Sequence, residues 1–145
     1  MKKIAVVYWS GTGNTQMMAE AIALGAAVGE MEVSVLPVDQ VSSLAFIDSD
    51  AIAIGCPAMG DEVLEESEME PFISSLSEAA INKKPLVLFG SYDWGDGKWM
   101  QDWETRMCGY GALLVEQGLI IRNTPDETGL SKCWEIGKKL ATVIS

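Results

Sequence analysis

The chain has 145 residues, a formal net charge of −11, 48% hydrophobic residues, three cysteines and no histidine. This length predicts a single domain over residues 1–145. The negative charge argues against nucleic acid as a partner, because Lys and Arg bind a phosphate backbone. Without histidine or a Cys-x-x-Cys pair, the chain lacks the usual metal ligands and the commonest general base, so we expect no metal and no catalytic residue.

The N-terminal stretch 1–11 places two lysines before a short apolar run, as a secretory signal peptide does. The run has no small-residue cleavage site and leads directly into a glycine-containing loop, so we expect a first strand in a cytoplasmic protein. No apolar run approaches the ~20 residues that span a bilayer, and we expect no membrane association.

Short apolar blocks follow along the chain and predict strands at 4–8, 33–38, 51–55, 85–90, and 112–115 together with 118–121. Four of the blocks are continuous, which is typical of parallel strands covered on both faces. Block 33–38 alternates more, as an edge strand does.

Helical periodicity separates these blocks. It predicts helices over 13–29, 69–81, 98–110 and 131–144, and more weakly over 41–47. Strand alternating with helix predicts an α/β fold around an open parallel sheet of about five strands. In such a sheet a ligand binds outside the C-terminal strand ends, where the strand order reverses. The loops after 4–8, 51–55 and 85–90 are therefore the candidate site.

The first of these loops reads SGTGNT, from Ser10 to Thr15. Gly11 and Gly13 allow backbone N–H groups to approach a ligand closely, and the following helix directs its positive dipole end to the same place. The side-chain donors are all neutral, and they come from Ser10, Thr12, Asn14 and Thr15. The pattern predicts a phosphate site without a cation, and its alternative is a glycine-rich turn that only caps the helix.

Three related phosphate-site patterns do not match this loop. A Walker loop needs Lys and Ser/Thr after its last glycine, where this chain has Asn14 and Thr15. A dinucleotide fingerprint needs a third glycine, where this chain has Gln16. A receiver domain needs acidic residues after the first strand and an Asp that ends the third, where this chain has Trp9–Ser10 and Gly55–Cys56.

The loop SGTGNT after a first strand resembles that of the flavodoxins, where it holds the phosphate of FMN. Two further loops extend the resemblance over essentially the whole chain: CPAMGDEVLEESEMEPF at 56–72 and GSYDWGDGKWMQDWE at 90–104. The first of these is similar to the loop of short-chain clostridial-type flavodoxins. The resemblance implies a doubly wound five-stranded parallel sheet in the order 2-1-3-4-5, with helices on both faces.

In the loop at 56–72, the resemblance implies that Met59 contacts one face of the flavin. It also implies that the peptide joining Gly60 to Asp61 flips on reduction, and that Glu62 accepts a hydrogen bond from the flavin N3–H. Glycine suits the flip because it reaches positive φ at low cost. Pro57 and Ala58 belong to the same loop. The alternative is an acidic turn with a methionine in the core.

Pro57 is a departure from the family pattern, because it replaces an expected hydroxyl residue and removes one phosphate donor.

In the loop at 90–104, Trp94 matches the family's aromatic residue that stacks on the outer flavin face. The resemblance implies that backbone N–H groups between Tyr92 and Gly95 bind the pyrimidine oxygens, with Ser91 in the same loop. The alternative is a set of aromatics that pack beneath a loop, and Trp99 and Trp103 fit it.

Asp93 is a second departure, because it stands where the family has glycine. Its charge near the flavin is expected to make full reduction harder.

Six acidic residues lie between Asp61 and Glu70. They are either a solvated surface that leads into a helix or a docking surface for basic partners, and both interpretations stay open. Carboxylates around a flavin also disfavour a further negative charge, which lowers the potential of the second electron.

The function that the resemblance implies is a low-potential one-electron carrier with non-covalently bound FMN. Such a carrier cycles mainly between semiquinone and hydroquinone and transforms no substrate. Its partners are basic-surfaced redox enzymes, namely the reductases and oxidoreductases that depend on ferredoxin or flavodoxin, and we expect a monomer. The alternative is an FMN-dependent quinone or nitro reductase on the same fold.

Overall fold

The computed structural model describes residues 1–41, 46, 48–76 and 81–145. Its strands are β1 (Lys2–Tyr8), β2 (Met31–Pro37), β3 (Ala51–Gly55), β4 (Pro85–Tyr92), β5 (Leu113–Leu114) and β6 (Leu119–Arg122). Its α-helices are α1 (Asn14–Ala26), α2 (Met69–Ser75), α3 (Lys98–Gly109) and α4 (Glu127–Ile144), and a 3-10 turn spans Val38–Gln40. Within the described residues, no helix is long and apolar enough to cross a membrane.

The strands form one parallel sheet in the order β2-β1-β3-β4-β5, which confirms the predicted fold class and strand order. The fifth position is shared by two short strands, because β6 also pairs with β4 in parallel. These two strands correspond to the divided last apolar block of the sequence. Strand order reverses between β1 and β3, so the loops that follow these two strands meet at one edge.

Helices cover both faces of the sheet, and each face has its own core. Helices α1 and α4 pack on one face, and α2 and α3 pack on the other. All five residues of β3 are buried, which explains its continuous apolar pattern. Among the described residues, strand β2 pairs only with β1, and it is alternately exposed at its start, as predicted for an edge strand.

Helices α1 and α4 approach each other through two glycines. A Cβ built on Gly25 would lie 1.9 Å from the Trp134 carbonyl oxygen, and one built on Gly137 would lie 2.0 Å from the Ile22 carbonyl oxygen. Backbone therefore contacts backbone at this crossing. Because α1 begins at the glycine loop, this contact also sets the position of the candidate phosphate site.

Three helix boundaries differ by more than one residue from those predicted. Helix α4 begins at Glu127, four residues before the predicted start, because the Asp126 carboxylate accepts a hydrogen bond from the Gly129 N–H at 2.8 Å and caps the helix. Helix α1 ends at Ala26. Helix α2 ends at Ser75, since Leu76 is extended.

Part of two predicted helices lies outside the described residues. For the helix predicted over 69–81 these are residues 77–80, and for the weaker helix over 41–47 they are residues 42–45 and 47.

Candidate cofactor site

A cleft of about 300 Å³ opens at the C-terminal ends of β1, β3 and β4, where the three predicted loops meet. Predicted residues from all three loops line it: Gly11, Thr12, Asn14, Pro57, Ala58, Met59, Ser91, Tyr92 and Asp93. The remaining predicted residues belong to the same loops without lining it: Ser10, Gly13, Thr15, Gly60, Asp61, Glu62, Trp94 and Gly95. The topology therefore brings three distant segments to one opening.

The first loop presents backbone N–H groups to the cleft. Gly13 has a φ of 96°, and the Ser10 hydroxyl oxygen accepts hydrogen bonds from the N–H groups of Gly13 (3.1 Å) and Gln16 (3.3 Å). In the part of the chain that the structure describes, four N–H groups of residues 11–15 have no protein acceptor, and they belong to Gly11, Thr12, Asn14 and Thr15. This arrangement at a helix N-terminus suits an anion.

The Thr15 side chain ties this loop to the end of β4. Its hydroxyl oxygen lies 3.0 Å from that of Ser91, and both residues are buried. The Ser91 N–H also donates to the Thr15 hydroxyl at 3.4 Å. Thr15 therefore contacts protein through its side chain, and its contribution to an anion is its backbone N–H.

The second loop forms a tight hairpin between Met59 and Val63. Their N–H and carbonyl groups pair in both directions, at 2.9 and 3.0 Å. Gly60 has a φ of 43° and Glu62 a φ of 57°. Nothing lies within 4 Å of a Cβ built on Gly60, so its conformation, and not lack of space, favours glycine there.

Glu62 joins the tip of this hairpin to the third loop. Its carboxylate accepts a hydrogen bond from the Gly97 N–H at 3.2 Å. A Cβ built on Gly95 would lie 2.4 Å from the same carboxylate oxygen, so the absence of a side chain at Gly95 leaves room for Glu62. Next to this contact, Trp94 is 56% exposed.

Sequence reasoning missed two residues that line the cleft, Trp9 and Asn123. Trp9 directly follows the first strand block, and its indole N–H donates to Glu68 at 3.2 Å. Asn123 follows β6 with a φ of 58°, and its N–H donates to the Tyr92 carbonyl at 2.7 Å. The available signal for Asn123 was an Asn directly after an apolar block, since Asn tolerates this left-handed conformation.

The acidic stretch 61–70 divides into residues with different structural roles. Glu65 is 6% exposed, and its carboxylate accepts hydrogen bonds from Glu68 N–H (2.7 Å), Met69 N–H (3.0 Å), and both the N–H and hydroxyl of Ser67. Burial acts to raise the pKa of the Glu65 carboxyl, but these hydrogen bonds outweigh it and lower the pKa to about 2. Glu65 is therefore an ionised cap for α2.

Other acidic residues of the stretch also have partners. Glu70 forms an ion pair with Arg106 at 2.6 Å, while Glu62 and Glu68 accept the hydrogen bonds described above. Asp61 and Glu66 are exposed, and neither takes part in a hydrogen bond or ion pair with the described residues. The solvated part of this stretch is therefore smaller than its six carboxylates suggest.

Residues 6–137 match the sequence model of the family described as Flavodoxin. The chain is 52% identical over 138 residues to the flavodoxin of Clostridium beijerinckii, covering 95% of this chain and 99% of that one. It is 41% identical over 143 residues to the flavodoxin of Megasphaera elsdenii, covering 95% of this chain and 98% of that one.

Solved structures agree with these sequence relatives. The solution structure of two-electron reduced Megasphaera elsdenii flavodoxin matches with a TM-score of 0.85 at 38% identity, over 96% of this chain and 98% of that one. A flavodoxin structure from the domain Archaea matches with a TM-score of 0.90 at 29% identity, over 98% of both chains. The chain therefore belongs to the flavodoxin family, and to its short-chain clostridial type.

Proposed function

We propose that the cleft between the three loops is where this protein holds FMN. As a flavodoxin, it is a low-potential one-electron carrier with non-covalently bound FMN, and this cofactor supplies the redox chemistry. The protein binds and orients the cofactor and sets the charge around it. The observation that carries the assignment is the cluster of unpaired N–H groups at one end of a cleft that is otherwise lined by apolar and aromatic side chains together with Ser91, Asp93 and Asn123.

The residues present fit both ends of this cofactor. The four unpaired N–H groups at the start of α1 would bind the phosphate, assisted by the hydroxyls of Ser10 and Thr12 and the amide of Asn14. The Ser10 oxygen accepts two hydrogen bonds from the loop, and its hydroxyl hydrogen is still available for donation. A neutral donor set leaves the phosphate charge uncompensated within the loop.

The flat ring fits against the second and third loops. Met59 and Tyr92 offer apolar and aromatic surface inside the cleft. Trp94 lies outside it and is 56% exposed, so it is available as the outer stacking surface. At the hairpin tip, Gly60 has the conformational freedom for a peptide flip, and the second oxygen of Glu62 is available for the ring N3–H.

Electron carriage without substrate turnover is the second part of the proposal. Stacking surfaces on both ring faces leave an edge for electron transfer and little space for a substrate. The alternative, a quinone or nitro reductase, requires saturable turnover of small quinones. Stopped-flow oxidation of the reduced protein distinguishes the two, because a carrier reacts with partner proteins but shows no such saturation.

Flavodoxin function implies redox proteins as partners, and we propose that these present basic surfaces to the exposed carboxylates near the cleft, such as Asp61 and Asp93. A monomer in the cytoplasm, without nucleic-acid partners, fits the net charge of −11 and the three free cysteines. Burial raises the pKa of Cys56 and Cys133 to about 12, so both remain thiols at neutral pH.

Titration of the apoprotein with FMN tests the proposed site. We expect FMN to quench tryptophan fluorescence, because Trp9 lines the cleft and Trp94 directly follows Asp93, which also lines it. Riboflavin, which lacks the phosphate, is expected to bind at least about tenfold more weakly, since charge-assisted hydrogen bonds contribute about 1.5–3 kcal/mol each. A colourless protein whose fluorescence FMN does not change would contradict the proposal.

Placing a cation in the first loop tests whether the absence of charged side chains there affects the reduction potential of the cofactor. Thr12→Lys is expected to make the second one-electron couple less negative, because a positive charge beside the phosphate favours added negative charge in the cleft. The measurement is a dithionite titration of the FMN-loaded variant. Thr142→Lys is the matched control, since residue 142 is exposed near the far end of α4. Equal potentials in the two variants would show that the neutral loop has no electrostatic role.

A further inference from the structure

One cation lies beside an aromatic residue that lines the cleft. Arg122 ends β6, where it is the parallel partner of Tyr92 on β4. Its guanidinium carbon lies 5.6 Å from the centroid of the Tyr92 ring, a distance at which a cation and an aromatic face attract. Tyr92 lines the cleft, and so does Asn123, the residue that follows Arg122 in the chain. The positive charge is therefore held one side chain away from the cofactor site.

The other cations lie elsewhere in the molecule or are paired with carboxylates. Lys2 and Lys3 begin β1, and Lys83 and Lys84 precede β4, so all four lie at the opposite edge of the sheet. Lys98 and Arg106 lie on α3 and form ion pairs with Asp102 and Glu70. Helix α4 carries the remaining three, of which Lys139 pairs with Glu116.

Arg122 differs from these cations both in its position near the cleft and in its lack of a carboxylate partner among the described residues. Within residues 1–41, 46, 48–76 and 81–145, no carboxylate lies within ion-pair distance of its guanidinium. Contact with the Tyr92 ring restricts its long side chain, while the charge stays uncompensated. The field of this charge therefore extends toward the cleft, where Asp93 contributes the opposite sign.

We propose that Arg122 places an uncompensated positive charge beside the cofactor cleft. This charge favours addition of the second electron to the cofactor, so it makes the potential of the second one-electron couple less negative. This inference rests on the proposed function. The second electron, supplied by a low-potential donor, adds a negative charge to the flavin when no proton follows it. The Arg122 guanidinium beside Tyr92 attracts that charge, in opposition to Asp93 and the cofactor phosphate. Arg122 thus partly offsets the effect of the surrounding carboxylates on the potential of the second one-electron couple.

The test compares three variants as FMN-loaded proteins: Arg122→Gln, Arg122→Lys and Lys2→Gln. Lys2→Gln is the matched control because it removes the same formal charge at the opposite end of β1. Both one-electron couples are measured by dithionite titration at about 10 mM and about 500 mM salt, where the Debye length falls from about 30 Å to about 4 Å. FMN dissociation constants and urea midpoints are measured alongside.

We expect Arg122→Gln to lower the ratio of two-electron to one-electron reduced protein three- to tenfold at fixed potential and low salt. The same ratio should change less than twofold in Lys2→Gln and in Arg122→Lys. High salt should reduce the effect of Arg122→Gln, as expected for an electrostatic interaction near the surface. Little change in the FMN dissociation constant of the oxidised protein would separate this effect from loss of packing against Tyr92.

Two results would overturn the inference while leaving the proposed function intact. One is an Arg122→Gln variant that binds FMN and has the same couples as Lys2→Gln at low salt. The other is an Arg122→Lys variant that behaves like Arg122→Gln, which would assign the effect to ring contact and not to charge. Failure of the unsubstituted protein to bind FMN would overturn both the inference and the proposed site.

Discussion

Gly137→Ala is expected to destabilise the fold by about 3 kcal/mol or more, the upper end for overpacking a core. The added Cβ would lie 2.0 Å from the Ile22 carbonyl oxygen and 3.0 Å from the Ala26 nitrogen, both of them backbone atoms of α1. A flexible side chain could rotate away, but a helix backbone relieves this clash only when the whole helix moves. Displacement of α1 would also shift the glycine loop at its start, so weaker FMN binding should accompany the loss of stability.

Urea unfolding of the apoprotein and FMN titration measure the two effects together. Gly109→Ala is the matched control, because Gly109 is also helical and a Cβ built there meets nothing within 4 Å. That control should be neutral or slightly stabilised, since alanine is favoured over glycine in a helix by up to about 1 kcal/mol. Equal unfolding free energies for the two variants would contradict the close helix contact.

Glu65→Gln is expected to lower the unfolding free energy at pH 7 by about 2 kcal/mol, within the range for leaving buried hydrogen-bonding groups without their partner. The carboxylate accepts four hydrogen bonds from Ser67, Glu68 and Met69, and an amide places donors where only acceptors fit. The loop that carries the hairpin between Met59 and Val63 leads directly into this cap, so its order depends on the same contacts.

The pH dependence of this substitution has a defined direction. The Glu65 pKa is about 2 in the folded protein, below the value of about 4.3 for a free glutamate, so its ionised form stabilises the fold. That contribution is fully present above the unfolded pKa and is lost as pH falls from about 4.3 to about 2. The difference between Glu65→Gln and the unsubstituted protein should therefore be large at pH 7 and small near pH 2.

Urea midpoints at a series of pH values measure this difference. Glu66→Gln is the control, because its carboxylate is exposed and makes no hydrogen bond or ion pair with the described residues, and its effect should stay within about 0.5 kcal/mol. A Glu65→Gln variant whose destabilisation is the same at pH 7 and near pH 2 would show that the charge of Glu65 has no part in the cap.

Much of the fold and of the site could be predicted from local sequence patterns. Continuous apolar blocks indicated buried parallel strands, and β3 is buried along its whole length. The position of the first glycine loop between a strand and a helix indicated an anion site, and Gly11, Thr12 and Asn14, whose N–H groups have no acceptor among the described residues, line the cleft. These features depend on residues close together in the chain, so their physical causes are visible in a short stretch of letters.

Other features depend on residues that are distant in the chain and could not be predicted. The six carboxylates between Asp61 and Glu70 have the same local pattern, yet folding buries Glu65 under four hydrogen bonds and leaves Glu66 in solvent. The sequence around Gly137 does not indicate that the backbone of α1 will pack against this residue.

The sequence alone determined the fold class, the three candidate cofactor loops and the absence of a cation from the first of them. Only the tertiary structure decided that a cation lies beside the cleft residue Tyr92, because pairing of β6 with β4 places Arg122 next to that ring. The physical reason is that strand register and helix packing select neighbours across the fold. The electrostatic field and the close contacts of a site follow from those neighbours.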